Sequence, residues 1–252
     1  LKNGNASTFG EVTIDDGRLN ASIWQDDNKF KKVTVNEGGT FNIQDLNAGG
    51  TEDQEHNQEG VTPHDTLLLA FGSVYNLNGG ELWVGDSNYQ NKLKVGTAAT
   101  SGTLNIASGS YTYSTLEVAK KGTVNVEGGE LNVTNLAFSA GNENNEGKVT
   151  VENGGSLNIN GSLTAGGAAN GALTNDGILK LDYKNFFTPE DGAENWTKND
   201  DNINLVNGTG VLDLTGITGS YTLEDLKKVQ GLFGDGMQVS LSGGTLDLHG
   251  EA

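Results

Sequence analysis

Cysteine is absent from this chain of 252 residues, arginine occurs once, at Arg18, and proline occurs twice. Without cysteine no disulfide holds the fold, which argues against a small disulfide-stapled secreted domain while leaving bacterial export open. Basic residues are scarce: 15 Lys+Arg stand against 33 Asp+Glu, for a formal net charge of −18. A surface of that sign repels phosphate backbones and anionic lipid, so nucleic acid is not an expected partner. No apolar run approaches the length that crosses a bilayer, so no direct membrane insertion is expected of this segment. Hydrophobic residues make up 34% of the chain, less than an ordinary globular domain carries.

What the chain has in quantity is glycine, 38 residues of it. No G-X-Y period accompanies them, so a collagen helix is excluded. The apolar residues are spread evenly, which is not the composition of a disordered chain. They also alternate. The stretch GTVNVEGGELNVTNLAF, Gly122 to Phe138, places Val124, Val126, Leu131, Val133, Leu136 and Phe138 at inward spacing. Twenty residues earlier stand Leu104, Ile106, Tyr111, Tyr113, Leu116 and Val118. A repeat with intact register is therefore present, the first thing to establish in such a chain.

Further copies carry insertions. They place Val12, Ile14, Leu19 and Ala21; Val33, Val35, Phe41, Ile43, Leu46 and Ala48; Tyr75, Leu77, Leu82 and Val84; and Val149, Val151, Leu157, Ile159, Leu163 and Ala165 inward. VSLSGGTLDL gives a late copy with Val239, Leu241, Leu246 and Leu248, and weaker ones surround Leu179–Leu181 and Leu212–Leu214.

Period-two alternation means strands with one buried face. Three short strands joined at glycine-rich corners close one coil, and stacked coils pair each strand in parallel with its equivalents, about 4.8 Å away. The expected fold is all-β, a right-handed parallel β-helix with three short strands per coil, the hand following crossover chirality. An antiparallel sandwich also predicts alternation and frequent turns, but not inward positions kept in register between neighbouring repeats. Residues 1–252 are read as one β-helix domain, part of a longer protein. Insertions fall near 47–66, 85–92, 139–148 and 183–202. Tyr221–Gly234 departs from the alternation: Leu223, Leu226 and Val229, with Thr222 and Asp225 as a capping pair, predict a short amphipathic helix over about 222–233.

Chemistry of the catalytic kind is thin. There is no nucleophilic cysteine and no GxSxG motif, and His56, His64 and His249 are few for a triad. Arg18 falls in a corner by this reading. Glu55, His56, His64 and Asp65 match no metal-ligand spacing, and Gly234-Asp235-Gly236 occurs once where calcium-binding repeats need tandem copies. No cofactor is expected, beyond calcium ions bridging acidic copies. A polysaccharide-degrading enzyme, its carboxylates brought together by folding, and a passive stalk are the alternatives to a binding protein.

Outward positions carry more information. The first strands offer Thr13, Thr34, Asn76, Asn105, Asn125 and Thr150, and the second strands Asn20, Asn42, Trp83, Thr112, Asn132 and Asn158. Stacked in order, these make amide and hydroxyl ladders. Trp83, with Tyr89 near it, and Trp196 are candidate contact residues for a ligand or a second copy.

GTVNVEGGELNV, GTLNIASGSYTY, KVTVENGGSLNI and VSLSGGTLDL resemble passenger domains of bacterial type V autotransporters, most closely adhesins of the self-associating class. The resemblance implies a right-handed β-helix exported through the outer membrane of a Gram-negative cell and displayed on its surface. It implies adhesion to a host glycan or protein, or self-association in aggregates and biofilm, without enzymatic activity. No binding residue of that family maps onto a position here.

Overall fold

The computed structural model describes residues 9–22, 30–44, 66–84, 92–138, 146–164, 172–182, 196–197, 205–215, 220–221, 238–241 and 245–246. Among the described residues the chain is all-β, built from long parallel sheets. This arrangement is consistent with stacked repeats of a β-helix, and its uniformly parallel ladders exclude an antiparallel sandwich.

The strands are numbered in chain order. One sheet of eight takes the first strand of each repeat: β1 (Phe9–Ile14), β3 (Phe30–Asn36), β6 (Ser73–Asn78), β9 (Gly102–Ser108), β11 (Gly122–Val126), β13 (Lys148–Val151), β15 (Leu173–Asn175) and β18 (Val206–Asn207), adjacent in that order. A sheet of three joins β2 (Gly17–Ser22), β4 (Gly39–Gln44) and β7 (Glu81–Val84). The longest sheet runs β5 (Thr66–Leu69), β8 (Lys92–Val95), β10 (Ser110–Val118), β12 (Glu130–Phe138), β14 (Ser156–Thr164), β16 (Ile178–Asp182), β19 (Val211–Thr215) and β21 (Gln238–Leu241), with β17 (Trp196–Thr197) paired to β14 off that path.

The twenty-residue register holds at all six positions. Leu104 pairs with Val124 and Ile106 with Val126; Tyr111, Tyr113, Leu116 and Val118 pair with Leu131, Val133, Leu136 and Phe138. The reason is that a one-residue slip would turn every apolar side chain to solvent. The aligned residues form one continuous core from Ile14 to Leu214, most of them wholly buried. Aromatic contacts fill its early part: Phe30 meets Phe41 edge-on at 5.3 Å, and Phe41 lies 6.3 Å from Tyr75.

Three details differ from the sequence reading. In β10, β12 and β14 the second and third short strands are one strand of nine residues. The polar pair between them, Ser114-Thr115 in β10, keeps both side chains off the core, so the chain bends there without leaving the ladder. Gly161 adds a residue to β14, and the β12 register shifts between Val133 and Asn135 to absorb it. Second, the late copy is displaced by one strand. Val239 and Leu241 stack on Leu212 and Leu214, in the sheet of second strands. Alternation looks alike in every strand, so spacing alone does not say which strand of a repeat Val239 and Leu241 belong to. Third, Arg18 lies within β2, not in a corner. Of the predicted helix, residues 222–237 lie outside the described residues, as do Leu46, Ala48, Ala165, the histidines, Glu55 and Asp65.

The corners demand glycine where coils touch. A Cβ on Gly155 would stand 2.1 Å from the carbonyl oxygen of Val126 in the preceding repeat. One turn carries the opposite strain: Phe71, 60% exposed, holds a φ of +54°, a conformation that costs a bulky residue about 1–2 kcal/mol. Gly155→Ala is therefore expected to destabilise the fold by about 1–3 kcal/mol, and Phe71→Asn to stabilise it by about 1 kcal/mol. Denaturant midpoints of the two variants check both signs.

Candidate functional site

The outward positions stack as the repeat register requires. On the first sheet one column runs Thr13, Thr34, Asn76, Asn105, Asn125, Thr150, Thr174 and Asn207. Asn125 Nδ2 donates to Asn105 Oδ1 at 2.8 Å, Asn105 Nδ2 to Asn76 Oδ1 at 2.8 Å, and Asn76 Nδ2 to Thr34 Oγ1 at 3.4 Å. At the neighbouring corner Asn78 donates to Asn36 at 2.9 Å, and Asn36 to the Asp15 carboxylate at 2.6 Å. On the longest sheet Asn158 donates to Asn132 and to Glu130, and Asn132 to Ser110 Oγ at 3.2 Å. Every one of these amides donates towards an earlier repeat, and none of the three central ones is fully exposed. Asn158 is only 8% exposed. The ladder amides Asn76, Asn105, Asn125, Asn132 and Asn158 thus each donate along the stack, to an amide, a hydroxyl or a carboxylate of an earlier repeat.

The sheet of three is different. Its outer face carries two columns: Arg18, Thr40 and Glu81, and Asn20, Asn42 and Trp83. Inward from the same strands point Leu19, Phe41, Leu82, Ala21, Ile43 and Val84, so the alternation that buries these six forces the other six outward. Trp83 is 48% exposed. Its indole Nε1 donates to Glu81 Oε2 at 2.9 Å, and Thr40 Oγ1 donates to the same oxygen at 3.3 Å. Two residues apart on one strand, the carboxylate and the indole are joined on the same face by this hydrogen bond. Asn42 Nδ2 donates to Asn20 Oδ1 at 3.0 Å, and Asn42 is 6% exposed beside the indole column. Arg18 is exposed; the ion pairs among the described residues are Lys32–Glu11 at 3.6 Å and Lys94–Glu117 at 2.7 Å, and neither involves it. With strands about 4.8 Å apart and alternate residues about 6.6 Å apart, the six side chains cover a face of roughly 10 by 7 Å.

This sheet also ends abruptly. Among the described residues β7 pairs with β4 and with no later strand, although β6 and β8 on either side both continue into the next repeat. Two tyrosines fill the interruption. The hydroxyl of Tyr113 donates to the Leu82 carbonyl at 3.3 Å, and the Gly79 N–H donates to the Tyr111 hydroxyl at 3.2 Å. They stand in for ladder bonds that the first half of β10 does not make. An extra residue in β9, at the shift between Leu77 and Asn78 of β6, sets the offset.

Trp83 is where the sequence places it, on the outer face. Tyr89 lies outside the described residues; Trp196 is described only in its backbone, which pairs with Leu163. Arg18, Thr40 and Glu81 are absent from the sequence-derived candidates. The signal that finds them is the same-face rule: Glu81 is two residues from Trp83, and the register then leads to Thr40 and Arg18. Among the described residues no group of three or more metal-ligating side chains comes together. No family model, curated protein or solved structure matches the chain.

Burial pushes the Tyr113 phenol far above its ordinary value of 10.0, with the neighbouring Tyr111 adding to the shift; burial also raises Tyr111, against the Gly79 N–H that lowers it. Above pH 10 the unfolded chain releases the Tyr113 proton while the folded chain keeps it, so stability present below pH 10 is lost as pH rises. The expected slope is about 1.4 kcal/mol per pH unit for this one group. Tyr113→Phe removes that slope, and at neutral pH costs about 1–3 kcal/mol because the Leu82 carbonyl is left unbonded. Urea titrations at pH 8 and at pH 11 of both proteins measure the difference.

Proposed function

We propose that the chain is a right-handed parallel β-helix with three short strands per coil, part of the passenger of a type V autotransporter, displayed on the surface of a Gram-negative cell. Its function is adhesion without catalysis: a stiff stack that presents a ligand-binding face to a host glycan or protein. The observation that carries this reading is the outer face of β2, β4 and β7. There an exposed, hydrogen-bonded tryptophan shares one sheet face with a carboxylate and with an arginine that makes no ion pair among the described residues. A rigid aromatic anchor with an arginine nearby is the composition that concentrates binding energy in contact surfaces.

Self-association is the weaker form of the same reading. The amide ladders are internally bonded, and at −18 copies repel one another unless salt or bridging calcium screens them. A passive stalk would carry no need for Trp83 on its surface, and a polysaccharide-degrading enzyme would place its paired carboxylates in a groove.

Cells displaying the chain should adhere to host-cell surfaces, and Trp83→Ala should reduce that adhesion by about tenfold or more, the scale of a contact hot spot. Counts of adherent cells at matched surface expression test it. Adhesion untouched by Trp83→Ala and by Arg18→Gln would overturn the assignment of this face.

A further inference from the structure

We infer that the ligand of the β2–β4–β7 face is an uncharged saccharide. The inference rests on the reading of that face as the binding face, and it names the chemistry that the face selects. A sugar ring has two kinds of surface: a patch of C–H groups and a rim of hydroxyls that both donate and accept. The face supplies both complements. The indole of Trp83 offers its ring, nearly half exposed, while its one polar atom is already bonded to Glu81. What remains for a ligand on that ring is dispersion and C–H contact with an apolar surface.

The polar groups around the ring are of mixed character. Glu81 uses Oε2 for Trp83 and Thr40, and its other oxygen, Oε1, carries no hydrogen bond among the described residues. It faces solvent as an acceptor for a hydroxyl. Arg18 presents a fork of donors that vicinal hydroxyls can accept. Thr40 stands between Arg18 and Glu81, and Asn20 and the buried Asn42 share the other column with Trp83.

Charge decides between neutral and acidic sugars. The chain carries −18, and the Glu81 carboxylate stands beside any ring placed on Trp83. An anionic ligand would meet one arginine, about two strand spacings from Glu81, against that field. A hydroxylated, uncharged ligand desolvates nothing ionic of its own. An extended peptide adding itself as a strand needs an open sheet edge, and at the edge of β7 the Leu82 carbonyl is already taken by the Tyr113 hydroxyl. The hydrogen-bonded ring, the open carboxylate oxygen and an arginine without an ion pair among the described residues together fit a glycan of neutral hexoses.

The test uses the whole chain with an array of immobilised neutral hexose oligomers and uronic-acid oligomers, followed by calorimetric titration of the best-bound oligomer. Neutral oligomers should bind, with uronic-acid oligomers at least about tenfold weaker at low salt. Trp83→Ala should lower affinity for the neutral oligomer at least about tenfold, Trp83→Phe less, and Glu81→Gln and Arg18→Gln each several-fold. Unfolding midpoints should stay unchanged for the Trp83 variants, because that side chain is exposed. Phe71→Asn, which removes the other large exposed aromatic among the described residues, should leave binding as it was, setting aside general stickiness. Uronic-acid oligomers binding as well as neutral ones would overturn the inference. So would neutral binding that survives Trp83→Ala, or sedimentation showing that the face joins copies and binds no oligomer. Loss of cell adhesion in Trp83→Ala without any neutral-sugar binding would overturn the saccharide and leave the face standing. Adhesion that survives Trp83→Ala would remove both.

Discussion

The described repeats are held to one another by parallel backbone hydrogen bonds, in a register that keeps the apolar columns aligned through two single-residue shifts. That constraint governs the side chains as much as the backbone. Inside, it stacks Leu104 on Val124 and Val124 on Val149, so that residues of similar shape meet over and over and no side chain is left to solvent. Outside, it stacks amide on amide. The interior supplies the free energy, since a single repeat could not bury its own apolar face; the exterior columns supply order, because an asparagine that bonds its copy above and below has one arrangement. Even the tightest corners follow from the ladder, which brings backbone so close at Gly155 that a methyl group has no room.

Where the ladder fails, the structure becomes individual. Below β7 the strand pairing stops, and two tyrosines that would otherwise be ordinary core residues turn their hydroxyls to backbone groups of the preceding repeat. The interruption leaves β7 as the last strand of its sheet. Trp83 is there, in a column that elsewhere holds asparagine. A repeating surface selects small, self-complementary side chains; a break in the repeat is where a large one can stand without disturbing a neighbour. The candidate binding face is thus next to the one irregularity in its sheet, and the irregularity is braced from inside.

The fold was legible from residue spacing because its two periods are independent. Alternation marks strands, and a shift of twenty residues superposes inward positions across Gly102 to Phe138. The binding face was only partly legible. Trp83 stands out by type, but Arg18 and Thr40 are 22 residues apart, and Thr40 and Glu81 are 41 apart. With insertions of different length between the repeats, subtraction of a fixed number does not align them. The strand boundary near Arg18 was ambiguous because short strands of equal alternation look alike from their own residues. The hydroxyl contacts of Tyr111 and Tyr113 had no signal at all, since in sequence both look like members of an apolar column.

The side-chain amides of the outward ladders share a direction. Asn78 points its N–H at Asn36, and Asn36 points its own at the Asp15 carboxylate; Asn125, Asn105 and Asn76 are oriented the same way. Aligned amide dipoles add, as backbone dipoles add in a helix. The stack therefore carries, on its surface, a one-way electrical axis assembled from side chains. Its positive end points towards the earlier repeats. Asp15 sits at that end of its row and answers it with a negative charge, which is the chemistry of a helix cap carried out by a β-structure.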